Sequence, residues 1–314
     1  MKNKIVIITG ANSGIGKAAT IKFCEAGYNV VMACRNLKKS KFVQEEIIKI
    51  TKNTNLDLLE LDISSIESIK DFIKNFKNRY NHLDILVHNA GHFNHGEKNY
   101  QLSKDNLELT FATNTFGPFL LTHLLLDWLK KSDDARVLHA CSTNIRHFFD
   151  PKRKIDFDDL QGKLVSAKKY NSYKMYGDSK MALLMMTFKM ADYYKNDFIK
   201  VNAVQIPAIK ISKATIKNLK PIWRFLARIQ SFFGAAPETM ADTYFYLCTS
   251  EAFRNISGKL INDKRIVMES SFYSSSLIQS IKQLLDKNVY PKYASDKENI
   301  ERIWQLALEL TLCK

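Results

Sequence analysis

Short apolar runs alternate along this chain with segments in which apolar residues recur every three or four positions. Ile5 to Ile8 is a block of β-branched apolar residues, the pattern of a strand buried on both faces, and Thr9-Gly10 ends it. Helical spacing follows at Ile15, Ala18, Ala19, Phe23 and Ala26, closed by Gly27. The alternation then repeats, with strands expected at Asn29–Cys34, Leu56–Leu61, Asp84–His88, Arg136–Ala140 and Ile199–Ile206. Helices are expected between them over Leu37–Thr51, Ile66–Tyr80, Ser103–Lys131 and Tyr173–Tyr194. Such alternation predicts an α/β fold, a doubly wound parallel sheet with helices on both faces, with ligands at the carboxyl ends of its strands. No repeat, linker or composition shift marks a second domain, so residues 1–263 are expected to form one unit. Residues 264–314 differ: a polar, Ser-rich stretch precedes helical spacing at Ile300, Ile303, Trp304, Leu306, Ala307 and Leu310, which predicts a helical extension of the same domain.

The first strand–helix junction carries the first chemical signal. Its glycines, Gly10, Gly14 and Gly16, are spaced GxxxGxG, which is neither GxGxxG nor a Walker A loop, since the latter needs glycine at Ala11 and Ser or Thr at Ala18. The whole chain has only 11 glycines, so three in one turn point to backbone geometry that requires them. A glycine turn opening a helix lets a ligand approach the backbone and aims N–H groups at an anion, the arrangement of a pyrophosphate site.

Composition narrows the class. The 314 residues can bury a sizeable core, and 46% hydrophobic with 25% charged residues is ordinary globular composition. The 47 Lys and Arg against 32 Asp and Glu give a net charge of +15, spread along the chain as a solvated basic surface that suits a phosphate-rich ligand. Without a recognition motif, that charge does not indicate nucleic acid. Five cysteines (Cys24, Cys34, Cys141, Cys248, Cys313) lack CxxC spacing and fall mostly in apolar runs, as reduced residues of a cytoplasmic protein do. The apolar run after MKNK is too short for a signal peptide, and no run is long enough to span a bilayer, which leaves peripheral membrane contact open.

The second signal is Tyr176-Gly-Asp-Ser-Lys180. Tyrosine and lysine four apart share a helix face, and a cation beside a phenol favours the phenolate, bringing the group closer to acid–base work near neutral pH. Together with TGANSGIG at Thr9 to Gly16, Asp62, HNAG at His88 to Gly91, TNTFGPFLLT around Asn114 and Ser142, this pair makes the sequence resemble the short-chain dehydrogenase/reductase family over about Lys2 to Asn262, and most nearly its retinol-dehydrogenase-like branch. The resemblance implies a Rossmann-type fold and a catalytic tetrad of Asn114, Ser142, Tyr176 and Lys180. In it Tyr176 exchanges the hydroxyl proton, Ser142 hydrogen-bonds the substrate oxygen, Lys180 binds the nicotinamide ribose and lowers the tyrosine pKa, and Asn114 holds a water of the proton relay. It also implies cofactor contacts from Gly10, Asn12, Ser13, Gly14, Ile15, Gly16, Arg35, Asn36, Asp62, Ile63, Asn89, Ala90, Gly91, Tyr176, Lys180 and Pro207.

An NAD site usually carries Asp or Glu after the second strand to accept from the ribose 2′-OH. Here Arg35-Asn36 stands in that place, which favours NADP(H). The branch's Pro-Gly and following threonine are replaced by Pro207-Ala208 with no clear threonine, Ser212 being the nearest substitute, and a counterpart of the branch's N-terminal membrane helix is not expected. Lys210 to Gly234 reads as a substrate lid with one basic face, interrupted by Pro221. A solvated edge, contact with an anionic membrane and an acidic partner are all compatible with that face. His88, His92 and His95 have a metal-like spacing, but one ends a strand and the others follow a glycine, so no metal site is expected. Met181, Met185, Met186 and Met190 form a core or interface stripe, and a homodimer through the long helices stays open. The expected function is NADP(H)-dependent interconversion of an alcohol and a carbonyl on a lipophilic small molecule. The rival is a catalytically idle NADP-sensing or scaffold protein that uses the basic segment to contact a membrane or partner.

Overall fold

In the computed structural model, residues 4–93, 97, 99–160, 170–210, 224, 234–272 and 277–313 are described. Seven strands, β1 (Ile5–Thr9), β2 (Asn29–Cys34), β3 (Leu56–Glu60), β4 (Ile85–His88), β5 (Arg136–Ser142), β6 (Lys200–Ile206) and β7 (Leu260–Ile261), form one sheet. Their order is β3-β2-β1-β4-β5-β6-β7, and every pairing is parallel. The order reverses between β1 and β4, which opens a crevice at their carboxyl ends. β1 is buried along its whole length, with Ile5 and Ile7 in one core and Val6 and Ile8 in the other, as the two-residue period of a doubly covered strand demands.

Helices α1 (Gly14–Glu25), α2 (Leu37–Thr51), α3 (Ile66–Lys77), α4 (Gly117–Leu124), α5 (Ser172–Tyr193) and α6 (Pro237–Thr249) cover the sheet. Phe72 of α3, Phe119 of α4 and Met181, Met185, Met186 and Met190 of α5 fill the first core; Phe23 of α1, Ile47 of α2 and Tyr244 of α6 fill the second. Phe23 meets Phe245 edge-on at 5.1 Å. Burying a side chain of that size contributes about 1.5–3 kcal/mol, so packing rather than a ligand fixes α1 to the sheet.

The helix expected over Ser103–Lys131 is not continuous. The chain winds one α turn at Leu109–Phe111, widens into a π turn over Ala112–Phe116, and resumes as α4 before a further break at Leu125. In the π turn the Gly117 N–H reaches the Ala112 carbonyl, and Pro118 has no N–H to offer the carbonyl four residues back, that of Asn114. Apolar spacing continues through the irregularity, which is why the pattern reads as one helix. Gly117 is also pressed against the loop after β3, where a Cβ would lie 2.0 Å from the Ile63 carbonyl oxygen.

Beyond β7 the chain forms β8 (Glu269–Ser270), α7 (Leu277–Leu285) and β9 (Val289–Tyr290), with β8 and β9 paired in parallel. Helix α8 (Lys297–Thr311) follows, capped by Asp296 accepting from the Asn299 N–H. It buries Ile303, Trp304, Ala307 and Leu310, and Trp304 meets Phe119 edge-on at 5.1 Å. Cys24, Cys34, Cys141 and Cys248 are buried and unpaired; Cys313 is exposed. Among the described residues no helix is long and apolar enough to cross a membrane.

Candidate active site

The turn after β1 works through its backbone. Gly10 has φ +64°, and a Cβ there would lie 3.1 Å from Ala90 Cα; at Gly16 a Cβ would lie 2.3 Å from the Gly10 carbonyl oxygen and 2.5 Å from Asn89 Nδ2. The first turn of α1 is therefore drawn against β1 and β4 as closely as only glycine permits. Asn89 fastens the arrangement: its Nδ2 donates to the Thr9 carbonyl at 3.0 Å, while the Asn89 and Ala90 N–H groups donate to Thr9 Oγ1 at 3.0 and 2.9 Å. Ser13 occupies the N-cap of α1 in extended geometry, yet its hydroxyl makes no capping bond. The orphan N–H groups at that helix start face an anion site.

A cleft of about 520 Å³ runs over this turn. It gathers Gly10, Asn12, Ser13, Arg35, Asn36, Asp62, Ile63, Asn89, Ala90 and Gly91 on one wall system. Gly14, Ile15 and Gly16 stand just behind it: Ile15 packs into the core, and Gly16 supports the turn from beneath. Asn12 is braced by Ser40 (Nδ2 to Oγ, 2.8 Å), whose hydroxyl in turn donates to the Asn36 carbonyl at 2.7 Å. Asp62 folds over the Ser64 N–H and hydroxyl, accepting at 3.1 and 2.6 Å. At the far end Arg35 is close enough to His92 for its charge to join burial in holding that imidazole below its usual pKa, so the guanidinium faces the cleft. Lys39 joins it from the first turn of α2, whose N-cap Asn36 accepts from the Lys39 N–H at 2.8 Å. The sequence reading missed Lys39, although its place three residues into a helix that starts at Asn36 was available as a signal.

The other expected residues assemble behind Gly91. A Cβ on Gly91 would lie 3.5 Å from Asn114 Oδ1 and 3.6 Å from Lys180 Nζ, so this glycine is the seam between cleft and cluster. Lys180 is 4% exposed and donates to the Ala140 carbonyl at 2.8 Å; burial lowers its pKa to about 8. Its Nζ lies 5.9 Å from the centre of the Tyr176 ring. Burial raises the Tyr176 pKa, opposed by a hydrogen bond with the Ser142 side chain. The neighbouring cation was expected to depress the phenol. In the structure Lys180 turns its ammonium to a carbonyl, so desolvation outweighs it.

The Asn114 side chain is taken up by protein partners. Its side-chain oxygen accepts from the His92 N–H at 2.7 Å, and its Nδ2 donates to the His92 carbonyl and to Ser179 Oγ, each at 3.0 Å. The amide thus locks the Gly91-His92 loop to α5. Phe93 lies flat on Tyr176 (4.5 Å, 17°) and edge-on to Tyr173 (5.2 Å), an aromatic wall beside the phenol that no local sequence pattern announces. Pro207 follows the last residue of β6, which pairs with Ser142, and is not on the cleft wall. Beyond it, Lys210 N donates to the Ala235 carbonyl at 3.0 Å; apart from Lys210, Arg224 and Gly234, the expected lid, Ser212 included, lies outside the described residues.

Of the histidines, His88 hydrogen-bonds Thr122 Oγ1 at 2.7 Å and lies tilted against His139 at 4.9 Å, both kept neutral by burial, while His95 lies outside the described residues. No group of three or more His, Cys, Asp and Glu among the described residues could hold a metal. The donors do fit a dinucleotide: a cradle that side chains would fill, a helix start for the pyrophosphate, Asp62 as acceptor, and two cations at the β2 end.

A family model described as short chain dehydrogenase matches residues 4–148. Retinol dehydrogenase 12 of Mus musculus is 33% identical over 309 residues, covering 98% of this chain and 86% of that protein. Retinol dehydrogenase 13 of Homo sapiens is 31% identical over 266 residues, covering 82% and 75%. In fold, a protein of Mycobacterium paratuberculosis matches with a TM-score of 0.68 at 21% identity, covering 98% of this chain and 93% of that one. A short-chain dehydrogenase from Shigella flexneri, complexed with NADP, matches at 0.62 and 20% identity, covering 84% and 98%. Fold, cradle and relatives agree, and the chain belongs to the short-chain dehydrogenase/reductase family of oxidoreductases.

Proposed function

We propose that this protein is an NADP(H)-dependent oxidoreductase that interconverts an alcohol and a carbonyl on a lipophilic small molecule, with Tyr176 as the acid–base group. The observation that carries the reading is the junction at Gly91. One side of that glycine is the phosphate cradle; the other is Lys180, with Tyr176 beside it and Ser142 near enough to the phenol to lower its pKa. A bound NADPH supplies the hydride for the carbonyl carbon. Tyr176 then gives its hydroxyl proton to the substrate oxygen, and Ser142 donates a hydrogen bond to that oxygen, holding it in reach of the phenol. The Lys180 ammonium stabilises the negative charge left on Tyr176. A water on the Asn114 carbonyl relays the replacement proton. Phe93 and Tyr173 give the phenol an apolar flank, which suits a hydrophobic substrate.

Arg35 and Lys39 favour a cofactor with a 2′-phosphate. Two retinol dehydrogenases among the relatives support a lipophilic alcohol or its carbonyl as the substrate class. Four buried, unpaired cysteines suit a reducing, cytoplasmic setting. The test is NADPH consumption, with NADH in parallel, against aldehydes and ketones graded by chain length. Turnover should rise with apolarity and favour NADPH. Tyr176→Phe should lose turnover about 10³-fold and keep NADPH affinity. Equal turnover by that variant would overturn the reading, and tight NADPH binding without any turnover would leave an idle NADP sensor.

A further inference from the structure

Helix α7 leaves its apolar face uncovered. Ile278, Ile281, Leu284 and Leu285 are 69%, 55%, 48% and 74% exposed. At about 100° per residue these four share one arc of the helix, roughly 120° wide. Gln283, half-buried on the opposite side of the helix, accepts at its Oε1 from the Phe272 N–H at 2.8 Å. Arg146 tethers the end of the helix by donating to the carbonyls of Leu284, Asp286 and Val289. That arginine stands in the turn leaving Ser142, so α7 is tied to the end of the strand that carries the candidate serine.

A contiguous exposed apolar face of this kind marks an interaction surface. Lys282 and Lys287 are exposed beside it with one acid, Asp286, so the rim is net positive, and the chain carries a net charge of +15. A second copy would bring the same positive charge to the same face, whereas an anionic bilayer offers both an apolar interior and opposite charge. The geometry points to α7 as a docking surface for an anionic membrane, with the apolar arc seated at the headgroup boundary. This surface uses none of residues 210–234, and it stands whether or not the oxidoreductase reading does.

Sedimentation of the full chain with lipid vesicles tests it without any substrate. The protein should pellet with vesicles of phosphatidylcholine and phosphatidylserine and remain in solution with phosphatidylcholine alone. Ile281→Glu with Leu285→Glu should reduce the bound fraction at least about tenfold, with an unchanged thermal melt. Leu285→Glu alone, at the most exposed position, repeats the test with least risk to packing and should lower binding about threefold or more. The proposal is overturned if the wild type pellets with neither vesicle or equally with both, or if the variants bind as well as the wild type. It is also overturned if, without lipid, the wild type is a dimer that the double variant dissociates, since a second copy then covers the face.

Discussion

The turn after β1 and the cluster behind Gly91 adjoin, yet they recognise by opposite means. In the turn almost nothing depends on side-chain charge: Gly10, Gly16 and the Asn89 hydrogen bonds fix a backbone shape, and the proposed binding falls to the N–H groups of α1. In the cluster almost nothing depends on backbone shape: a buried lysine, a phenol and a hydroxyl are held at set positions, and desolvation decides their protonation. The comparison teaches where each region is fragile. Added volume should break the turn, whereas lost charge should break the cluster.

Lys180→Met is the severest test, since it keeps volume and removes charge. Turnover should fall by at least about 10³-fold, while NADPH affinity, set mainly in the turn and cleft, should fall far less. The same residue leaves a mark on stability. Its pKa is about 8 in the fold against 10.5 ordinarily, so between those values the unfolded chain binds more protons than the folded one. Stability should therefore climb as pH rises from about 8 to 10.5, by an amount on the order of 3 kcal/mol, and burial of the charged form costs that much below pH 8. Denaturant melts across that range should show the rise in the wild type and lose it in the variant. A wild-type curve flat over the window would mean that Lys180 is not buried as a cation.

Gly16→Ala sharpens the other side. A Cβ 2.3 Å from the Gly10 carbonyl oxygen forces α1 away from β1, so NADPH affinity should drop about a hundredfold. Turnover at saturating cofactor should change less, because the cluster is untouched. If affinity survived while turnover collapsed, the division of labour drawn between the two regions would be wrong.

That division also explains what could be read from the chain. TGANSGIG, HNAG and YGDSK are local statements, in which residues that act together are neighbours in sequence or one helical turn apart; the cradle follows from them, and the parallel sheet from the alternation of strands and helices. The π turn at Asn114 was not legible, because the apolar period that signals a helix runs unbroken through it while Pro118 and the contact at Gly117 act across the fold. Nor was the direction of the Tyr176 shift, for helical spacing places Lys180 near the phenol without revealing the Ala140 carbonyl that takes its proton donor. Phe93 and His92 matter only through partners far away in sequence.

Arg35 and Lys39 allow the finest cut, because both are exposed cations at one end of the cleft and only one was visible as a motif. Arg35 follows β2 directly, and a planar guanidinium can hold a 2′-phosphate through two parallel hydrogen bonds while stacking on an adenine face. Lys39 is a point charge on a flexible stem, already inside the field of the α2 N-terminus. Arg35→Ala should thus lower the NADPH-over-NADH ratio of kcat/KM about 10- to 30-fold, and Lys39→Ala only about 3-fold, both effects shrinking at high salt because the site faces solvent. Reversal of that order would make the helix start the principal phosphate anchor. In that case the turn's mode of recognition, backbone N–H groups aimed at an anion, would govern both ends of the cleft, and the contrast with Lys180 would be sharper still.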